Sequence, residues 1–370
     1  MSMLQRQVCR QQPFAARRLG LSLVTATRAH FRTSSAARQS TLMTRLAPLQ
    51  LTYRTLSSPS TLLNSASFAS AAGVTKEPSI HNVFEPVTGT WQYVVADPAT
   101  LQAVIMDPVL DYDPVSQAVT TEAADALLAF VREKSYQICH ILETHAHADH
   151  LTAASYLQSR LAEKQGHKPR IGIGKRITQV QTLFGKRYGV PAEEYGAVFD
   201  TLFEDDETFA IGNLQAKAVH LPGHTPDHVG YMIGDNVFCG DLLFHADIGT
   251  ARCDFPGGNP SQLFHSGRKL LALPGHVKIW TGHDYPPEDR RDAVACLTVD
   301  EHKAQNKHLS GGVTEEVYVT LRRAKDETMA APRLLHQSLQ VNIRGGRLPK
   351  PTSEGLRLLH LPLKPNGTEW

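Results

Sequence analysis

Residues 1–75 contain no lysine, aspartate or glutamate, yet they hold nine arginines. The first lysine is Lys76 and the first acid is Glu77. An Arg-rich, Ser/Thr-rich leader without acids has the composition of a mitochondrial transit peptide. Residues 14–24 can form its short basic amphipathic helix, and cleavage is expected before Lys76. The expected location is therefore the mitochondrial matrix. Setting those nine arginines aside leaves 29 of the 38 basic residues against 36 acids, a net charge of −7 for residues 76–370. That body carries no basic footprint for nucleic acid. No run of about 18 apolar residues occurs, so neither a membrane-spanning helix nor a membrane partner is expected. The five cysteines (Cys9, Cys139, Cys239, Cys253 and Cys296) form no Cys-x-x-Cys pair, which argues against a zinc ribbon or a thioredoxin-type site. A disulfide framework does not suit a reducing matrix. Gly172-x-Gly174 does not extend to a G-x-G-x-x-G fingerprint and reads as a turn. No internal repeat is evident.

What the chain does have is an unusual density of imidazole. Residues 144–150 read Thr-His-Ala-His-Ala-Asp-His. Packing does not call for three histidines and an aspartate so close together, because each would need a partner once desolvated. A metal ion explains both the residue types and their order. His145 and His147 lie two apart on an extended segment and so point the same way. Asp149 and His150 follow on the next turn. The motif does not close a coordination sphere by itself. Three downstream candidates occur in similar frames: His224 in Leu-Pro-Gly-His-Thr-Pro (221–226), Asp241 in Phe-Cys-Gly-Asp-Leu (238–242) and His283 in Trp-Thr-Gly-His-Asp-Tyr (280–285). Each follows a glycine, which permits close approach and unusual backbone angles.

The surrounding pattern predicts strands near residues 83–84, 91–95, 103–106 and 137–142, the last running directly into His145. A helix carrying Ala124, Leu127, Leu128 and Val131 is expected, capped by Thr120 or Thr121. Another should carry Leu151, Ala154, Leu157 and Leu161. A strand at 170–173 and a helix at 177–188 follow. Strands at 209–211, 214–219, 228–233 and 237–239 come next, with hairpin turns at Gly212-Asn213 and Asp235-Asn236. A helix at 262–271, a strand at 278–280 and a helix from about Pro287 complete the second half. Two halves of strands followed by helices predict an α/β fold layered αββα. Residues 76–300 form the expected catalytic domain and residues 301–370 a short appendage packed on it. Within the appendage Thr314 caps a helix, and 340–351 reads as extended and basic, with Arg344 and Arg347 in a solvated loop.

The motifs Thr-His-Ala-His-Ala-Asp-His, Pro-Gly-His-Thr, Gly-Asp and Gly-His-Asp-Tyr, in this order, resemble those of the metallo-β-lactamase superfamily over residues 83–300. That fold hosts several reactions. A narrower resemblance comes from Ile-Gly-Thr-Ala-Arg-Cys-Asp-Phe-Pro-Gly-Gly (248–258), which is similar to the G-x-R-x-D-F segment of persulfide dioxygenases. Residues 339–349 resemble the bacterial-type branch of that group. The resemblance implies a four-layer sandwich and one Fe(II) held by His145, His224 and Asp241, two histidines and a carboxylate as in non-haem iron oxygenases. It implies glutathione persulfide and O2 as substrates, sulfite and glutathione as products, and a place in mitochondrial sulfide catabolism. A rhodanese-type sulfurtransferase is an expected functional neighbour, and a homodimer is compatible with the group. Arg252 matches a substrate-contacting arginine, the plain alternative being an ion pair with Asp247 or Asp254. Tyr285 matches a tyrosine beside the iron. Cys253 reads as a buried, inert thiol. His140, His245, His265, His276, His302 and His308 read as structural or surface residues. His147, Asp149, His150 and His283 complete the second site of the superfamily's dinuclear hydrolases. The alternative expectation is therefore a thioester hydrolase of glyoxalase II type with two Zn(II). Against that, residues 301–370 lack the long helical glutathione-binding domain that the resemblance to such hydrolases would imply. A degenerate binding protein is disfavoured because every ligand position is filled.

Overall fold

The computed structural model describes residues 77–365 and 367. The leader and Cys9 lie outside the described residues. The first half runs β1 (Ser79–Glu85), β2 (Thr90–Ala96), β3 (Gln102–Met106), β4 (Val109–Asp113), β5 (Ala118–Thr120), α1 (Glu122–Glu133), β6 (Gln137–Leu142), β7 (Leu151–Thr152), α2 (Ala154–Gln165), β8 (Arg170–Gly174), α3 (Ile177–Tyr188), α4 (Ala192–Tyr195) and β9 (Thr201–Phe203). The second runs β10 (Thr208–Ile211), β11 (Leu214–His220), β12 (Val229–Ile233), β13 (Asn236–Phe238), α5 (Pro260–Leu271), β14 (Lys278–Trp280), β15 (Cys296–Thr298), α6 (Val299–Gln305), α7 (Glu315–Asp326) and α8 (Leu335–Asn342).

Two six-stranded mixed sheets, β1-β2-β3-β6-β8-β9 and β10-β11-β12-β13-β14-β15, carry the fold. A small sheet β5-β4-β7 stands beside them. Strand alternation assigns the layers. Tyr93, Val95, Val104 and Met106 face Ala216, Ala218, Tyr231 and Ile233 in the core between the large sheets. Their neighbours Val94, Ala96, Ala103 and Ile105 face outward onto Leu127, Leu128 and Val131 of α1 and Leu157 and Leu161 of α2. On the far side Val219, Val237 and Ile279 pack against Leu263, Phe264, Leu270 and Leu271 of α5. The result is the αββα layering expected from the sequence. β11 and β13 run the same way, because each is antiparallel to β12, and β14 is parallel to β13. All three strands therefore end at one edge of their sheet, and there the chain presents His224, Asp241 and His283.

Local signals account for several helix starts. Asn259 accepts from the amides of Ser261 and Gln262 ahead of Pro260 in α5. Thr298 and Glu301 form a reciprocal capping box on α6. Thr314 caps α7, which has acids in its first turn and Arg323 and Lys325 in its last.

Six expectations need correction. Gly172 and Gly174 lie inside β8 and not in a turn, and the second hairpin turns at Gly234-Asp235, between the paired residues Ile233 and Asn236. No helix begins near Pro287. Arg290 instead ties that stretch down by pairing with both Asp284 and Asp247, and the helix starts at Val299. The helix expected from Leu151 begins at Ala154, because Leu151 and Thr152 pair with β4. Thr121 precedes α1, but its hydroxyl donates to Asp125 instead of accepting from a backbone amide. Residues 340–346 are the end of α8 and a turn, with Gly345 and Gly346 at φ +62° and +82°. Arg344 is buried there, bonded to Glu194 at 2.8 Å and to the Gln340 carbonyl. Arg347 is exposed.

Burial holds His302 of α6 down to about 4, and its Nδ1 lies 3.2 Å from the Asn306 amide, which donates to it. A folded pKa below the unfolded value of about 6.5 gives stability that is complete above pH 6.5 and is lost as pH falls toward 4. Denaturant unfolding followed between pH 7 and 4.5 should show a shallower loss for His302→Gln than for the parent. An equal loss would contradict a neutral His302.

Candidate metal centre

The ligand loop follows β6, and its backbone is held by neighbours instead of by its own hydrogen bonds. The Thr144 amide donates to Asp107 Oδ1 at 2.7 Å, and its carbonyl accepts from Val229 at 2.8 Å. The Ala146 amide donates to Asp227 Oδ2 at 2.9 Å, and the Tyr231 hydroxyl to the Glu143 carbonyl at 2.8 Å. Ala146 and Ala148 fill space in the apolar cluster of α3, so the small residues between the histidines are packing choices.

Two donor groups face each other, His145 with His224 and Asp241, and His147 with Asp149, His150 and His283; a third, Asp107 with Glu143 and His147, lies behind His147. Within each group the ligand atoms lie within 4.8 Å of one another. Asp241 stands between the groups, Oδ2 3.6 Å from His224 Nε2 and Oδ1 3.4 Å from His283 Nε2. Asp149 Oδ2 lies 3.2 Å from His283 Nε2. All are buried except Asp149, which is partly exposed.

Every imidazole in the two groups has one nitrogen anchored and the other turned inward. His145 Nδ1 meets Thr144 Oγ1 at 3.0 Å. His224 Nδ1 donates to the Arg252 carbonyl at 2.7 Å, and His283 Nδ1 to the Gly89 carbonyl at 3.2 Å. His150 Nδ1 lies 3.1 Å from Asp149. His147 is reversed: its Nε2 lies 3.1 Å from Asp107 and 3.2 Å from Glu143, which turns Nδ1 toward the cluster. The inward atoms His145 Nε2, His147 Nδ1, His150 Nε2 and Asp241 Oδ1 are buried without hydrogen-bond partners. Leaving such an atom unpaired costs about 1–3 kcal/mol. Orphaned, convergent nitrogen and oxygen atoms with anchored far sides fit one or two metal ions.

The electrostatics agree with that fit. Burial, then the imidazoles of His147, His228 and His224, pull His145 well below its ordinary value, which keeps a free lone pair. Burial also opposes charge on His147, but Asp107 and Glu143 outweigh it and raise that histidine. Burial would raise Asp149, yet His283 and His150 hold its carboxyl far down in the ionised form.

Glycine geometry explains all three Gly-ligand frames; Gly240 has φ +49°, and a Cβ there would meet Thr144 Oγ1 at 2.6 Å. Gly223 has φ +140°, and a Cβ there would meet the Leu263 backbone at 2.3 Å. A Cβ on Gly282 would stand 2.5 Å from Asp241 Oδ1.

A cavity of about 360 Å³ opens above the centre, with Asp149, His224 and Asp241 in its lining. Phe244, Tyr285 and Arg252 form part of its wall, and Arg322, Lys325 and Arg333 bring in the C-terminal extension. The Tyr285 ring stacks on His283 at 5.7 Å and 8°, and it is 51% exposed. Arg252 makes a two-point ion pair with Asp254 at 2.5 Å and donates to the Ala330 carbonyl. Asp247 pairs with Arg290 instead. Cys253 is buried, and that burial pushes its thiol up.

Sequence reading missed the residues behind the ligands. Asp107 and Glu143 orient His147, while His228 Nε2 accepts from the Asp241 amide at 3.0 Å. Asp107 ends an apolar strand in a left-handed conformation, φ +48°, and Glu143 directly precedes the motif. Those were the available signals. Asp107→Ala should weaken metal binding by about 10–100-fold with the sheet content retained. Metal titration with far-UV circular dichroism checks this, and unchanged affinity would remove Asp107 from the site.

A family model for the metallo-β-lactamase superfamily matches residues 93–283. A β-lactamase hydrolase-like protein of Agrobacterium fabrum is 43% identical over 295 residues, 79% of this chain and 67% of that one. Glyoxylase B2 of Dictyostelium discoideum is 40% identical over 279 residues, 75% of this chain and 94% of that one. The human mitochondrial persulfide dioxygenase ETHE1 is 29% identical over 243 residues, 65% and 79% of the respective chains. The crystal structure of ETHE1 from Myxococcus xanthus superposes with a TM-score of 0.58 at 26% identity, covering 73% of this chain and 100% of that one. These likenesses reach the branch expected from residues 248–258, and the chain belongs to the metallo-β-lactamase superfamily.

Proposed function

We propose that the protein is an Fe(II)-dependent persulfide dioxygenase that converts glutathione persulfide, O2 and water to glutathione and sulfite. The observation that carries this reading is the group His145, His224 and Asp241, two imidazoles and one carboxylate at the base of an open cavity. That donor set suits a non-haem Fe(II) with free positions. When bound, Fe(II) supplies the electron chemistry that lets O2 react with a sulfur nucleophile. The likeness to persulfide dioxygenases in sequence and structure supports the assignment.

The chain's own residues would bind and orient the substrate. Lys325 and Arg333 are exposed at the cavity and suited to the carboxylates of a glutathione moiety. Arg322 is already committed to Asp326 at 2.6 Å. Arg252, paired with Asp254, forms a fixed cationic wall, and its carbonyl also holds His224. Tyr285 and Phe244 give apolar faces near the sulfur's approach, with the Tyr285 hydroxyl available as a donor. The mitochondrial matrix is the proposed location, on the leader's composition, with a rhodanese-type sulfurtransferase as functional neighbour and a homodimer as the proposed assembly.

A second reading has its own observation. His147, Asp149, His150 and His283 form a complete second donor group, and Asp241 faces both groups. Two Zn(II) ions would fit there and generate hydroxide near neutral pH for thioester hydrolysis of glyoxalase II type. The 40% likeness to a glyoxylase favours it.

Anaerobic purification, metal analysis by mass spectrometry and O2 uptake with glutathione persulfide separate the two. One iron and O2 consumption are expected. Two zinc ions, no O2 uptake and hydrolysis of S-lactoylglutathione would overturn the dioxygenase. Asp241→Ala should abolish iron binding while His150→Ala keeps one iron, and loss in both would show that the ligand assignment is wrong. Lys325→Ala with Arg333→Ala should raise KM by about tenfold with kcat nearly unchanged, as expected for lost ground-state contacts. An unchanged KM would place the carboxylates elsewhere.

A further inference from the structure

We propose that Asn342, at the end of α8 in the C-terminal extension, is a positioning residue of the metal centre, holding the ligand loop by its backbone. The inference rests on the reading that this loop binds metal. Asn342 is 3% exposed. Its Nδ2 donates to the carbonyls of His147 and His150, both at 2.8 Å. Its Oδ1 accepts from the Thr152 amide, also at 2.8 Å. Two carbonyls on one side and an N–H on the other allow only one orientation of the amide.

The three bonds clamp the part of the loop that carries Asp149 and His150. Fixing the carbonyls of His147 and His150 sets the 147–148 and 150–151 peptide planes, which bracket the segment from Ala148 to His150 and so restrict the directions in which Asp149 and His150 project. The loop between β6 and β7 has no strand ladder of its own. The turn after α8 grips the loop exit as well. Gly346 comes so close that a Cβ would meet the Thr152 carbonyl at 2.8 Å and the Ser155 amide at 3.1 Å. The clamp is itself anchored. Gln181 of α3 donates to the Ile343 carbonyl at 2.9 Å, Arg344 pairs with Glu194, and Leu339 and Ile343 pack in the cluster that contains Ala146 and Ala148. A rigid support of this kind is what keeps ligands in binding geometry. Residues beyond 283, outside the segment that matches the family model, would therefore set the affinity of the centre.

The test uses the full chain, freed of metal and titrated with Co2+, whose visible spectrum reports ligand geometry. Asn342→Leu and Asn342→Asp should weaken Co2+ binding by about tenfold or more and alter the absorption bands. The control is Gln340→Met. Gln340 is equally buried in α8, but its amide serves the carbonyls of His336 and His360 and not the loop. It should lower unfolding stability and leave Co2+ affinity and spectrum as in the parent. If Asn342→Leu does not fold, the milder Asn342→Ser decides the matter by the same readouts. Parental affinity and spectrum in the Asn342 variants, or an equal loss of affinity in Gln340→Met, would overturn the proposal. A parent that binds no Co2+ would instead defeat the metal reading, and the clamp with it.

Discussion

The structure depends on one electrostatic constraint. Five imidazoles and two carboxylates converge at the end of a sandwich, and most of their ligand atoms are out of contact with water. Such a set is tolerable only if each ring is satisfied on one side and a cation can satisfy the other. The anchoring partners come from several separate places in the chain: Thr144, Gly89, the Arg252 carbonyl and the Asp107–Glu143 pair. Parallel β13 and β14, and β11 running with them, bring three ligands to the same edge. The fold thus assembles donors far apart in sequence while the sandwich core stays apolar.

The ligands themselves were readable because metal chemistry restricts residue type so sharply. Neither packing nor solvation calls for a histidine or aspartate directly after a glycine at a strand end, whereas metal ligation does. The strands were readable from alternation, which assigned Val94 and Val95 to opposite layers. What sits behind the ligands was not readable. Asp107, His228 and Asn342 act through hydrogen bonds across the fold, and a lone Asp, His or Asn leaves no periodic trace. The tail was misread on the same ground. Residues 340–347 hold two arginines, two glycines, a glutamine and an asparagine, which suggests a solvated loop. Burial against α3 and α4 and the Arg344–Glu194 pair reverse that local preference.

Asp241 shows why donor count alone does not name the reaction. Its two oxygens face different histidines, at 3.4 and 3.6 Å. The same carboxylate can serve as third ligand to one ion or as a bridge between two. The difference then lies in how strongly the second group holds its ion. That group includes Asp149, the one partly exposed ligand, and His147, whose rear nitrogen faces two carboxylates. A histidine backed by two acids is a stronger donor, but it also retains a proton more readily in the absence of metal. Occupancy of the second group would therefore depend on pH more steeply than occupancy of the first, where burial keeps His145 neutral.

The C-terminal extension meets both halves of the problem. Lys325 and Arg333 reach the cavity from α7 and the segment after it, whereas Asn342 of α8 reaches the loop that carries Asp149 and His150. The single stretch from Lys325 to Asn342 thus touches both the substrate opening and the metal support. A change in how that stretch packs would alter substrate binding and ligand geometry together. The sandwich and its histidines can therefore stay constant while the packing of this one stretch changes both the cavity wall and the support of the ligand loop.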